Sequence, residues 1–187
     1  MQFLDPVAKT FLEDLNSSDP PPTSIAGRRA AFSALWRKLS PPKIDIYHIE
    51  TMQIGGVDCI VYWPRRPDTL SAVTIFYHGG GGVTLSPEDF DATSRLLAKL
   101  SDTILVVPRY RQAPEYPFPT PLDDSFAVYK TLLSNTIDIS ADLTRIVVCG
   151  DSAGGYLAAA VAQEARRNNI PPPLAQILLY PMLDMAS

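Results

Sequence analysis

Four short apolar runs, spaced by helix-like segments, constrain this chain more than any other feature. Residues 72–77 (AVTIFY), 103–107 (TILVV), 145–149 (RIVVC) and 175–180 (AQILLY) are almost continuously apolar. A strand with one wet face alternates polar and apolar side chains. A run without alternation needs cover on both faces, as in a parallel sheet sandwiched by helices. Helical signals fall between the runs. Ser86-Pro87-Glu88-Asp89 reads as a helix start that leads to Phe90, Leu96, Leu97 and Leu100. Thr120-Pro121-Leu122-Asp123 opens another, with Leu122, Phe126, Tyr129 and Leu133 on one face. Residues 153–167 are rich in alanine, which lets a helix lie close against a sheet. The alternation predicts an α/β domain.

Two regions precede this pattern. Residues 1–39 read as helical. Asp5 and Pro6 form an N-cap and first-turn pair, with Val7, Phe11, Leu12 and Leu15 on one face. Pro20, Pro21 and Pro22 interrupt, and Ser24 or a neighbour starts a second helix carrying Phe32, Leu35, Trp36 and Leu39. Pro41 and Pro42 end it. Residues 44–52 and 58–63, joined through Gly55-Gly56, read as an antiparallel opening pair. The expected division is a helical segment over 1–42 and an α/β domain over 43–187.

Charge and composition exclude several classes of function. Sixteen Lys and Arg against twenty Asp and Glu give a net charge of -4, which argues against a nucleic-acid partner. No apolar run reaches the roughly 18 residues of a membrane span. The start lacks a basic region followed by a long apolar one, so no secretory signal is expected. Cys59 and Cys149 each sit in an apolar run and read as buried thiols, which suits a reducing, cytoplasmic setting. No Cys/His cluster has metal-ligand spacing, so neither a metal nor an organic cofactor is expected.

The chemistry concentrates in two loops. Gly150-Asp151-Ser152-Ala153-Gly154-Gly155 follows the run 145–149 and opens the alanine-rich helix. A strand turning sharply into a helix projects its central residue above the sheet, and Gly150 and Gly154 flank it because side chains would collide across the turn. Ser152 then sits at a helix N-terminus, where N–H groups favour developing negative charge. The second loop, His78-Gly79-Gly80-Gly81-Gly82, follows the run 72–77. It lacks the spacing of a nucleotide cradle. It reads as an oxyanion hole, with Gly79 and Gly80 N–H joined by Ala153 N–H.

Together these residues resemble the hormone-sensitive-lipase-like esterases of the α/β-hydrolase superfamily. The matching stretches are His78-Gly79-Gly80-Gly81, Tyr110-Arg111-Gln112-Ala113-Pro114-Glu115 with Pro117-Phe118-Pro119, Gly150-Asp151-Ser152-Ala153-Gly154-Gly155, and Tyr180-Pro181-Met182-Leu183-Asp184. Gln112 stands where Leu is more usual. The resemblance implies a three-layer α/β/α sandwich with a mostly parallel sheet, and residues 1–42 as part of a cap. It also implies hydrolysis of small-molecule carboxylic esters through an acyl-serine, with a triad ordered Ser, acid, His. Arg111 and Glu115 are expected to lock a loop by ion pairing. Asp151 is expected to be a structural acceptor, and Tyr110, Tyr116 and Phe118 to pack or line the acyl pocket.

By the same resemblance, the triad acid and His lie beyond Ser187, so the C-terminal strands of the fold are expected to be missing. The two histidines here have other readings. His48 reads as a surface or packing residue. His78 orients the glycine loop; to serve as base toward Ser152 it would have to abandon that loop. Asp184 is a weaker candidate for the acid. A chain lacking the His is expected to be nearly inactive, because loss of that base costs about a millionfold in turnover. The run 175–180 would be a bare edge, favouring self-association. The alternative is a non-catalytic small-molecule-binding protein on the same scaffold.

Overall fold

The computed structural model describes residues 5–17, 20, 22–66 and 70–184. The leader forms two helices, α1 (Pro6–Ser17) and α2 (Ile25–Leu39). Asp5 caps α1 by accepting from Val7 N–H at 2.8 Å, and Ser24 caps α2 by accepting from Gly27 N–H at 3.1 Å. Pro21 and the side chain of Leu15 lie outside the described residues.

A six-stranded sheet follows, in the order β1-β2-β4-β3-β5-β6. β1 (His48–Ile54) and β2 (Val57–Trp63) form the antiparallel opening hairpin, and β2 pairs antiparallel with β4 (Ile104–Pro108). β3 (Ser71–Tyr77) runs parallel between β4 and β5 (Ala141–Asp151), and β5 pairs parallel with β6 (Ala175–Leu179). The crossovers are α3 (Asp91–Ser101), α4 (Thr120–Leu133) and α5 (Ala153–Arg167). Among the described residues no helix is long and apolar enough to cross a membrane.

Two cores explain the apolar runs at β3, β4 and β5, while the run at 175–180, expected to need cover on both faces, is mostly exposed in β6. Ile104 and Val106 face one side with Val73, Ile75 and Tyr77, against Val128 and Tyr129 of α4 and Leu157 and Val161 of α5. Leu105, Val107 and Phe76 face the other, against Ala98 of α3 and Phe90, with Trp36 of α2 packed alongside. The chain is therefore an α/β/α sandwich with helices on both faces, as expected.

Three boundaries differ from the sequence expectation, the first being β1, which runs over His48–Ile54 rather than 44–52. α3 begins at Asp91 rather than at Ser86, because residues 86–90 form successive tight turns. The buried Asp89 carboxylate reaches back to Ser86 N–H at 3.0 Å and forward to α2, holding the segment as turns. β5 starts at Ala141, before the apolar run, since its first residues are only half-covered. At the β6 end, Leu174, Ile177 and Leu179 are exposed.

Candidate active site

Parallel pairing of β3 with β5 places Tyr77 opposite Gly150, so the two loops leave the sheet side by side. They touch through backbone. A Cβ on Gly154 would overlap the Tyr77 carbonyl, and one on Gly150 would overlap the Gly154 carbonyl. No side chain is tolerated at either place without moving a strand.

Ser152 caps α5 with φ 51 and ψ -118, a left-handed setting that costs a residue with a side chain about 1–3 kcal/mol. Its neighbours clamp it. Ser152 N–H donates to Leu179 carbonyl at 2.9 Å, and Ser152 carbonyl accepts from Tyr156 and Met182 N–H at 3.2 Å each. The side chain makes no capping bond and stands half-buried at the wall of a cavity of about 360 Å³ that Gly80, Gly81 and Thr84 also line. Phe32 and Trp36 of α2 close its other side. A second cavity of about 170 Å³ adjoins Gly81 and Ala153, with Phe118, Leu122 and Tyr156 as its apolar wall.

The glycine tract is ordered by its carbonyls. Across a trans peptide the C=O of one residue and the N–H of the next point in opposite directions. Anchoring each carbonyl therefore aims the following amide. His78 carbonyl accepts from the Tyr110 hydroxyl at 2.6 Å, and Gly79 N–H correspondingly donates to Asp151 Oδ1 at 2.8 Å. Gly79 carbonyl accepts from His78 Nδ1 at 2.7 Å, which leaves Gly80 N–H facing away. Gly80 carbonyl accepts from Val83 N–H, Thr84 N–H and Thr84 Oγ1, which turns Gly81 N–H away. Among the described residues neither Gly80 nor Gly81 N–H has an acceptor.

The donor set expected from sequence is Gly79, Gly80 and Ala153. Gly79 N–H is engaged by Asp151 and is not available to a ligand. Gly81, expected only as support, has an acceptor-free amide like that of Gly80. Ala153 N–H lies in the first turn of α5, where no intrahelical acceptor exists. Gly155 packs close against Pro181 beside the turn from β5 into α5, the elbow that carries Ser152.

His78 is buried, stacks on Tyr110 at 4.6 Å and donates through Nδ1 to the loop. Burial lowers its pKa to about 4, so the ring is neutral at pH 7. It supports the tract and has no hydrogen bond to Ser152. His48 is exposed on β1, against Trp63 at 5.1 Å. Burial raises the Asp151 pKa, while the Gly79 amide works the other way.

The surrounding loop is locked as expected. Arg111 pairs with Asp124 at 2.7 Å, and Glu115 pairs with Arg29 of α2 at 2.7 Å. Arg29 also donates to Val83 carbonyl at 2.7 Å and Ala113 carbonyl at 3.0 Å, joining helix, glycine loop and locked loop. Sequence reasoning missed Arg29, which lies 86 residues from Glu115. Tyr110 packs on His78, Phe118 lines the smaller cavity, and Tyr116 lies under the Arg111 guanidinium.

A family profile described as alpha/beta hydrolase fold matches residues 74–187. Esterase LipI of Mycobacterium tuberculosis is 41% identical over 129 residues, covering 68% of this chain and 40% of the relative. Carboxylesterase NlhH of the same species is 33% identical over 183 residues, covering 95% of this chain and 57% of the relative. The chain thus spans about half the length of the curated relatives it matches. An alpha/beta hydrolase enzyme from the metagenome of Lake Arreo superposes with a TM-score of 0.92 at 29% identity, over 100% of this chain and 62% of that one. The hyperthermophilic esterase of Pyrobaculum calidifontis gives 0.85 at 32% identity, over 95% and 59%.

Proposed function

Because this chain belongs to the alpha/beta hydrolase fold family, among its hormone-sensitive-lipase-like esterases, we propose that Ser152 is the acyl-accepting nucleophile of a carboxylic ester hydrolase. Gly80, Gly81 and Ala153 N–H form its oxyanion hole. The observation that carries this reading is the pair of acceptor-free amides, Gly80 and Gly81, on the wall that Ser152 shares. Ser152 Oγ bonds to the ester carbonyl carbon as its proton passes to a general base, the carbonyl oxygen takes the negative charge onto the three amides, and the base returns that proton to the departing alcohol as the C–O bond to it breaks and the carbonyl re-forms. Water then releases the acid. The cavities on either side of Gly81 provide for the acyl and alcohol portions. Residues 1–42 act as a cap segment over the body at 43–187, with Phe32 and Trp36 as its contribution to the larger cavity.

Neither histidine serves as the base: His78 is committed to Gly79 and His48 is exposed on β1. A general base toward Ser152 would have to be a residue other than these two histidines. A polypeptide of this sequence alone is accordingly nearly inactive. The commitment of His78 to Gly79 is compatible with a second reading as well, a small-molecule-binding protein on the esterase scaffold. Hydrolysis of an activated aryl ester separates them. Imidazole, supplied as external base, should raise a slow turnover that Ser152→Ala abolishes. Imidazole without any Ser152-dependent effect favours the binding protein. Rates of about 1 s⁻¹ or more without imidazole, lost in Ser152→Ala, contradict near-inactivity.

Both cysteines are buried free thiols, which supports a reducing, cytoplasmic setting. The exposed Leu174, Ile177 and Leu179 at the β6 edge support self-association of this polypeptide; a monodisperse monomer in sedimentation velocity would count against it.

A further inference from the structure

The direction of Gly81 N–H depends on what holds the Gly80 carbonyl, since the two occupy opposite edges of one peptide. Two of the three bonds to that carbonyl are backbone bonds of the turn, from Val83 N–H at 3.1 Å and Thr84 N–H at 2.9 Å. The third is a side-chain bond, from Thr84 Oγ1 at 2.9 Å. Thr84 is itself gripped from the other side. Gln112 Nε2 donates to Thr84 carbonyl at 3.1 Å and to Leu85 carbonyl at 3.2 Å. Leu85 has φ 66, a left-handed setting unfavourable to a residue with a side chain, so this segment needs outside support to hold its path. Gln112 bridges two successive carbonyls at that point, and Thr84 packs so close to Gly80 that a Cβ there would overlap the Thr84 carbonyl.

We propose that Thr84 and Gln112 are positioning residues of the oxyanion hole: the Thr84 hydroxyl aims the Gly80–Gly81 peptide, and Gln112 holds Thr84 where it does so. The proposal rests on the reading of Gly81 N–H as an oxyanion donor. Its energetic logic is preorganisation. A donor fixed before reaction costs no reorganisation during it, and a small misplacement forfeits much of its worth. Neither side chain needs to touch substrate for this.

The test compares Thr84→Val, Thr84→Ser and Gln112→Leu in the full 187-residue chain with imidazole present. The first readout is the rate at which an aryl fluorophosphonate labels Ser152, followed by intact mass. In that step the Oγ–P bond forms, fluoride leaves and the hydroxyl proton passes to imidazole. The second readout is the ¹H–¹⁵N resonance of Gly81, and the third is the melting temperature. Thr84→Val and Gln112→Leu should each slow labelling about tenfold and move the Gly81 resonance, with melting unchanged. Thr84→Ser, which keeps the hydroxyl, should restore both. Labelling of Thr84→Val at the unaltered rate, or of Thr84→Ser as slowly as Thr84→Val, overturns the proposal. If Thr84→Val does not fold, Gln112→Leu reports on the same support. If the unaltered chain takes no label, the esterase reading fails, and the Gly81 resonance alone judges the positioning: moved by Thr84→Val and restored by Thr84→Ser supports it, unmoved overturns it.

Discussion

The elbow with its glycine tract and the leader helix α2 both border Ser152, yet they are held by opposite means. Around the elbow, backbone packs on backbone. Gly150 and Gly154 admit no Cβ, and His78 and Asp151 are buried and bonded to the tract. α2 has no buried residue. It is held by Arg29 to Glu115, Val83 and Ala113, by Ser33 and Arg37 to Asp89, and by Trp36 on Phe90 at 4.8 Å. The amides proposed as oxyanion donors belong to the closely packed part of the fold. The cavity wall supplied by Phe32 and Trp36 belongs to a helix with no buried residue, which is expected to open at lower cost than the sheet.

That contrast is broken most severely at Gly154. Gly154→Ala drives a methyl of α5 into the Tyr77 carbonyl of β3, backbone against backbone. A loss of about 3 kcal/mol or more is expected, read as failure to fold or a large fall in denaturation midpoint. A variant of normal stability would show that the loops are less tightly apposed than described.

The next effect is pH-dependent. His78 has its folded pKa lowered from an ordinary 6.5 to about 4 by burial. Between those values the unfolded chain binds the extra proton and the folded one does not. Stability therefore falls as pH drops from 6.5 toward 4, by up to about 1.4 kcal/mol per pH unit, and His78 contributes no further slope below that window. Thermal melts across this range should show the slope, and His78→Gln should flatten it. An equal slope in the variant would assign the dependence to other groups.

The smallest global effect is expected in α2. Arg29→Ala removes the contacts to Glu115, Val83 and Ala113. The melting temperature should hold, while limited proteolysis between α1 and β1 accelerates several-fold. A large fall in melting temperature would place α2 within the cooperative core and erase the contrast.

The sequence made most of the sheet legible because burial on both faces forces continuous apolarity, which marked β3, β4 and the end of β5 directly, whereas β6 carries an apolar run although most of its residues are exposed. The Ser24 cap and the α5 span were legible for similar local reasons. The elbow was visible because its steric demands fall on adjacent residues. The donor set was not. Which glycine amide stays open depends on Tyr110, Asp151 and Thr84 acting on carbonyls and amides across the fold, and nothing in four successive glycines ranks them. The role of Arg29 was hidden because its partners are distant in sequence. Asp89 read as an ordinary first-turn acid, whereas its burial against Ser33 and Arg37 converts the expected helix start into turns.

The most direct measurement is a crystal structure of the chain phosphonylated with an aryl fluorophosphonate. The account predicts phosphorus on Ser152 Oγ, with the phosphoryl oxygen about 2.7–3.1 Å from the amide nitrogens of Gly80, Gly81 and Ala153 and with Gly79 N–H still on Asp151. A phosphoryl oxygen turned to solvent, or bound by Gly79 in place of Gly81, would contradict it.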